Sequence, residues 1–120
     1  ETGVALLAPG GAQTLVESRQ GRLQIRIVQD GDQLYKPSVD ILFGSAARSL
    51  GADCIGVVLT GMGSDGTEGA RLLKDRGASI WAQDQQSSVV YGMPHAVAKA
   101  GLTDHVLPLD EIGAALGRLN

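Results

Sequence analysis

Cys54-Ile55-Gly56-Val57-Val58-Leu59-Thr60, followed at once by Gly61-Met62-Gly63-Ser64-Asp65-Gly66, is the stretch whose reading decides the fold. The first seven residues are apolar without alternation, as in a strand covered on both faces in a parallel sheet. The glycine-rich run after them has the composition of a strand-to-helix turn. A helix is expected to follow through about Arg76, with Gly77 as its stop.

The neighbours on both sides fit this unit. Upstream, Lys36-Pro37-Ser38 opens a helix that Ser38 can cap, with Asp40 in the first turn where the helix dipole favours a carboxylate. Val39, Leu42, Phe43, Ala46 and Leu50 give that helix one apolar face, and Gly51 ends it. Downstream, Ser79–Gln83 reads as a strand carrying Trp81, Asp84–Gly92 as a polar loop, and Pro94 as the start of a short helix ended by Gly101. Val106–Leu109 is a short extended segment, and Asp110 caps a last helix bearing Ile112, Ala115, Leu116 and Leu119. Toward the N-terminus, Val4–Ala8 reads as a buried strand stopped by Pro9-Gly10-Gly11. Thr14–Glu17 and Leu23–Val28 flank Ser18–Arg22 as an antiparallel hairpin, in which Leu23, Ile25 and Ile27 alternate with Gln24 and Arg26. Asp30-Gly31-Asp32 is a second turn. Strands alternating with helices predict a layered α/β fold, a mostly parallel sheet with flanking helices and one antiparallel hairpin.

Composition narrows the function classes. At 120 residues the chain is one domain at most, able to bury roughly two thirds of its surface. Ten Lys+Arg against thirteen Asp+Glu leave a net charge of −3, and no run is basic enough for a nucleic-acid stripe. One cysteine excludes an internal disulfide framework and a cysteine-rich zinc site. His95 and His105 lack the spacing of a ligand pair on one helix turn. The apolar runs are too short for membrane insertion, and Glu1-Thr2-Gly3 does not read as a signal peptide, so a cytoplasmic setting is expected.

Three readings compete at Gly61–Gly66. In the plainest, the glycines serve a tight turn and Asp65 caps the helix that follows. In the second, the G-x-G-x-x-G spacing is a dinucleotide fingerprint with Asp84, at the end of the next strand, on the ribose. Asp65 counts against this, since it puts negative charge at a helix end built to attract anions. In the third, Asp65 is a working carboxylate that orients a catalytic histidine, and the Met62 N–H helps to form an oxyanion hole.

Four blocks favour the third reading. Ala8-Pro-Gly-Gly11, Lys36-Pro-Ser-Val-Asp-Ile-Leu-Phe43, Thr60-Gly-Met-Gly-Ser-Asp-Gly66 and Ala82-Gln-Asp-Gln-Gln-Ser-Ser-Val-Val-Tyr-Gly-Met-Pro94 resemble, in this order along the chain, segments of the CheB-type protein-glutamate methylesterases. The resemblance covers nearly the whole chain. It implies a serine hydrolase that removes methyl groups from receptor glutamates, and that in many members also deamidates glutamines, with no metal or cofactor. By position, Asp65 is the triad aspartate and Met62 the oxyanion-hole residue through its backbone amide. The family's nucleophile segment (Gly-Ser-Thr-Gly-Gly), its Gln-His-Met segment and its receiver domain have no counterpart in residues 1–120, which resemble the C-terminal part of the catalytic domain. The implied partners are a methylated chemoreceptor and the receiver domain. The chain alone is expected to be inactive, and to self-associate through the sheet edge that missing strands would leave open. A non-catalytic scaffold is the third function class.

The remaining polar residues have structural readings. Ser38, Ser45, Ser64, Ser87 and Ser88 lie in no G-x-S-x-G elbow. His95 follows Pro94 at a helix start, His105 precedes a short strand, and Cys54 sits in a buried strand without a flanking base. Trp81 reads as core, and Tyr91 as packing or the wall of a substrate groove. Gln13 stands where many family members carry histidine.

Overall fold

The computed structural model describes residues 3–29 and 35–119. The expected turn at Asp30-Gly31-Asp32 falls outside them. In chain order the elements are β1 (Gln13–Arg19), β2 (Arg22–Val28), α1 (Val39–Leu50), β3 (Ile55–Val58), α2 (Thr67–Asp75), β4 (Ser79–Gln83), α3 (Met93–Lys99), β5 (His105–Leu107) and α4 (Leu109–Gly117). A parallel sheet runs in the order β3-β4-β5, and β1 and β2 form a separate antiparallel ribbon. The layered α/β architecture is as the sequence predicts.

The middle strand of the parallel sheet is β4, whose Ile80, Trp81, Ala82 and Gln83 are all buried. Pairing Gly56 with Ile80 and Val58 with Ala82 puts these residues on one face. That face meets Phe43, Ala46 and Ala47 of α1, Ala70 and Leu73 of α2, and Val97 of α3 in one core. On the other face Trp81 meets the His105 ring edge-on at 5.5 Å and lines a recess with Leu107, Ala115 and Leu119. The uninterrupted apolar run at 54–60 contains β3, which among the described residues pairs only with β4. β3 alternates between half-buried and buried residues, and Leu59 beyond it is 44% exposed.

Two boundary expectations are corrected. Val4–Ala8 forms no strand, and Leu6 and Leu7 are 72% and 97% exposed. An apolar run states that a segment gains by burial, not what covers it. Leu23, Ile25 and Ile27 of β2 are likewise open, because β1 rather than β2 makes the contact with α1. At the C-terminal end the strand is His105–Leu107, and α4 starts from Pro108 at the N-cap, with Asp110 inside its first turn. Pro108 has the extended backbone an N-cap needs, φ −60° and ψ 151°.

Polar side chains tie the ribbon to the α/β layer. Ser45 Oγ accepts from Val16 N (2.8 Å), and Ser49 Oγ donates to Val16 O (2.7 Å), so two α1 hydroxyls pair with the outer edge of β1. Gln13 is buried; its Nε2 donates to Tyr35 O (2.7 Å), and its Oε1 accepts from Ser38 N (2.8 Å). Gln13 thus holds the entry to α1, a structural reason for an amide at this position.

A second clamp fixes β4. Asp104 accepts from Lys74 Nζ (2.8 Å) and from Ile80 N (2.7 Å), and its own N–H donates to Ile80 O (2.7 Å). Hydrogen bonds from the Lys74 ammonium and the Ile80 amide hold the Asp104 carboxyl below the usual carboxylate range. A carboxylate lowered on folding adds stability above its unfolded pKa of about 3.9, and this is lost as pH falls through the lower folded value. The side chain is one third exposed, so solvent screening trims the effect. Asp104→Asn is expected to lower the unfolding free energy by about 1 kcal/mol at neutral pH. In urea titrations the gap between the two proteins should narrow as pH falls below about 4.

Candidate functional site

Two loops meet at the carboxyl ends of the parallel strands, where ligands bind in open α/β sheets. The first, 59–66, leaves β3 and carries Met62 and Asp65; the second, 84–92, leaves β4. Thr60 Oγ1 accepts from Val90 N (2.8 Å) and donates to Val90 O (3.0 Å), and Gly61 N also donates to Val90 O (3.0 Å). Gly61 O then accepts from both Gly92 N (3.1 Å) and Met93 N (2.9 Å). Underneath, the fully buried Gln83 accepts from Thr60 N (2.8 Å) and donates to Ser87 O (2.8 Å). A buried side chain of this kind stands only with its amide satisfied on both sides.

Asp65 does not cap the helix it precedes. The α2 N-cap is Gly66, and the Asp65 carboxylate turns to the start of α1. Oδ2 accepts from Val39 N (2.7 Å), and Oδ1 accepts from Asp40 N (3.0 Å) and from Ser38 Oγ (3.0 Å). Ser38 therefore makes no side-chain cap bond of its own; its hydroxyl serves Asp65. Asp40 answers in the opposite direction, its Oδ1 accepting from Gly66 N (3.0 Å) and Gly69 N (2.8 Å). The start of α1 is thus capped by Asp65 from the loop before α2, and the start of α2 by Asp40 of α1. The exchange satisfies amides that helix starts leave unpaired and locks the two helices in register.

The clasp removes the dinucleotide reading. The α2 amides that would receive a pyrophosphate are held by Asp40, whose negative charge occupies the anion position. Asp84 Oδ1 is engaged by Ser87 N (3.0 Å) and Ser87 Oγ (2.7 Å) within its own turn.

Met62 lies at the surface, 81% exposed, next to the pinned Gly61 carbonyl, and Asp65 is half-buried. Tyr91 stacks on the exposed His95 at 5.1 Å, beside the same loops. Cys54 is apart from the site, packed against the core, and burial and Asp53 push its thiol pKa up. No group of three or more potential metal-ligating side chains occurs among the described residues. No helix among them is long and apolar enough to cross a membrane.

Residues 1–116 match the family model of the CheB methylesterase. The chain belongs to the CheB methylesterase family. It is 62% identical over 98% of its length to the protein-glutamate methylesterase/protein-glutamine glutaminase of Alkalilimnicola ehrlichii, and 57% identical over 93% to that of Vibrio parahaemolyticus. It spans about 30% of the length of these relatives. With the crystal structure of the Thermotoga maritima CheB methylesterase catalytic domain it shares 34% identity at a TM-score of 0.89, over 94% of this chain and 60% of that one. The CheB-type motif blocks are the segments that meet in space: Ser38-Val39-Asp40 and Ser64-Asp65-Gly66 form the clasp, and Gln83 and Gly92-Met93 brace the loop beside it.

Proposed function

We propose that this chain is the C-terminal portion of a methylesterase catalytic domain and supplies its triad aspartate, Asp65, and the Met62 N–H of its oxyanion hole. The full-length protein brings a nucleophilic serine and a histidine from preceding segments. It hydrolyses the methyl ester of a receptor glutamate: the serine oxygen attacks the ester carbon, the histidine takes the serine proton and passes it to departing methanol, and water then frees the carboxylate. Asp65 orients that histidine and stabilises its charged form. Glutamine deamidation is the same acyl transfer with ammonia leaving.

The observation that carries this reading is the hold on the Asp65 carboxylate at the carboxyl ends of the strands. Three donors fix it, two on Oδ1 and one on Oδ2. That leaves Oδ2 with a lone pair for a histidine N–H, on a rigid mount such as a triad requires. The partners of the full-length protein on this reading are a methylated chemoreceptor and its own receiver domain, in a cytoplasmic setting. Self-association through the open edge of β3 is the state proposed for the chain alone.

The test is methanol release from methylated receptor. The full-length protein should turn over, whereas this chain alone at equal concentration should release methanol no faster than buffer, because an aspartate without its serine and histidine has nothing to orient. Turnover by the isolated chain would refute the division of the triad.

A further inference from the structure

We propose that the backbone amides of Gly92 and Met93 are the positioning device for the Met62 oxyanion donor, an inference that rests on the role just proposed for Met62. A peptide unit is planar, and in its trans form the carbonyl and the N–H point in opposite directions. Gly61 O and Met62 N belong to one such unit, which is not among the cis bonds of the chain. With Gly61 O held by two donors, at 3.1 and 2.9 Å, the plane has one orientation, and the Met62 N–H is aimed away from the 92–93 segment. Among the described residues the Met62 amide donates to nothing. A carbonyl that accepts two hydrogen bonds also polarises its peptide, which strengthens the opposite N–H as a donor. The amide is thereby directed before substrate arrives, as oxyanion stabilisation requires.

Contact between the two loops leaves no slack. A Cβ on Gly92 would meet Gly61 O at 2.7 Å, Gly63 N at 2.9 Å and Gly63 O at 3.0 Å, all backbone atoms. A side chain there must push the 61–63 turn away and rotate the Gly61-Met62 plane. The Thr60–Val90 hydroxyl pairing keeps the same seam closed from the strand side.

The experiment uses the full-length protein carrying Gly92→Ala, with methylated receptor as substrate and a boronic acid analogue of the glutamyl side chain as tetrahedral mimic. The expected result is a kcat lower by about 100-fold, with KM unchanged within about two-fold, since a misdirected donor matters only as charge develops. The inhibition constant of the boronate should rise in parallel with the loss in kcat/KM. A purely structural defect would not produce this pairing. Should Gly92→Ala fail to fold by thermal melting, Thr60→Val replaces it, with a kcat about five- to ten-fold lower and the same parallel rise for the boronate. An unchanged kcat in the folded variant, or a kcat loss without a change in boronate affinity, overturns the proposal. If Asp65→Asn leaves full activity, the triad reading itself has failed, whatever Gly92→Ala does.

Discussion

Asp65→Asn in the full-length protein is expected to cut methyl ester hydrolysis by about four orders of magnitude while lowering stability by only about 1–2 kcal/mol. The two numbers have separate causes. On the proposed triad, an asparagine cannot hold the histidine in the required tautomer or stabilise its charged form, which removes most of the triad's contribution. The stability loss comes from the clasp, where both carboxylate oxygens accept from backbone amides, Oδ2 from Val39 N and Oδ1 from Asp40 N. Whichever way an asparagine is turned, its NH2 faces an N–H, so one cap bond becomes a donor–donor clash. Rate assays on methylated receptor and chemical denaturation of the same preparation separate the two effects. A large rate loss beside only that small stability loss supports a catalytic role, and modest losses in both would reduce Asp65 to a helix cap.

The second large effect falls on Gly69, in the first turns of α2. Replacing a helical glycine by alanine ordinarily stabilises a protein by about 1 kcal/mol. Here the sign should invert. A Cβ on Gly69 would meet Phe43 Cβ at 2.6 Å, Asp40 Cα at 3.0 Å and Asp40 O at 3.1 Å. Two of these are backbone atoms of α1, and the third is the first carbon of a core side chain, so neither helix can yield locally. The helices must separate, and the Gly69 N–H to Asp40 Oδ1 bond of 2.8 Å opens with them. Gly69→Ala is expected to cost about 3 kcal/mol, the overpacking penalty together with a lost bond to a charged acceptor. Urea unfolding measures it, and a variant more stable than the parent would show that the helix crossing is looser than described.

Local patterns were legible in the sequence where no distant partner decides them. Ser79–Gln83 reads as a strand and forms one, and the 61–66 loop reads as a strand-to-helix turn and lies between β3 and α2. Position along the chain could not disclose partners. Asp65 stands one residue before Gly66, the α2 N-cap, so local rules assign it as a cap for α2, while its donors lie 25 to 27 residues upstream. Asp40, read as a dipole residue of α1, serves α2 instead. Buried Gln13 and Gln83 carry no local signature, because an amide becomes a cross-link only when tertiary structure brings unpaired backbone groups to both of its ends. Val4–Ala8 and the apolar face of β2 show the limit of pattern reading from the other side, since alternation tells which residues gain by burial and the fold decides what covers them.

The most direct test of the account is the distance from Asp65 Oδ2 to the nearest histidine Nδ1 in a crystal structure of the complete catalytic domain. A triad role for Asp65 predicts a hydrogen bond of about 2.6–3.2 Å, with Val39 N, Asp40 N and Ser38 Oγ still on the same carboxylate. A histidine held by another acceptor, with Asp65 bound to the start of α1 alone, would contradict it and leave the aspartate as the structural half of a helix clasp.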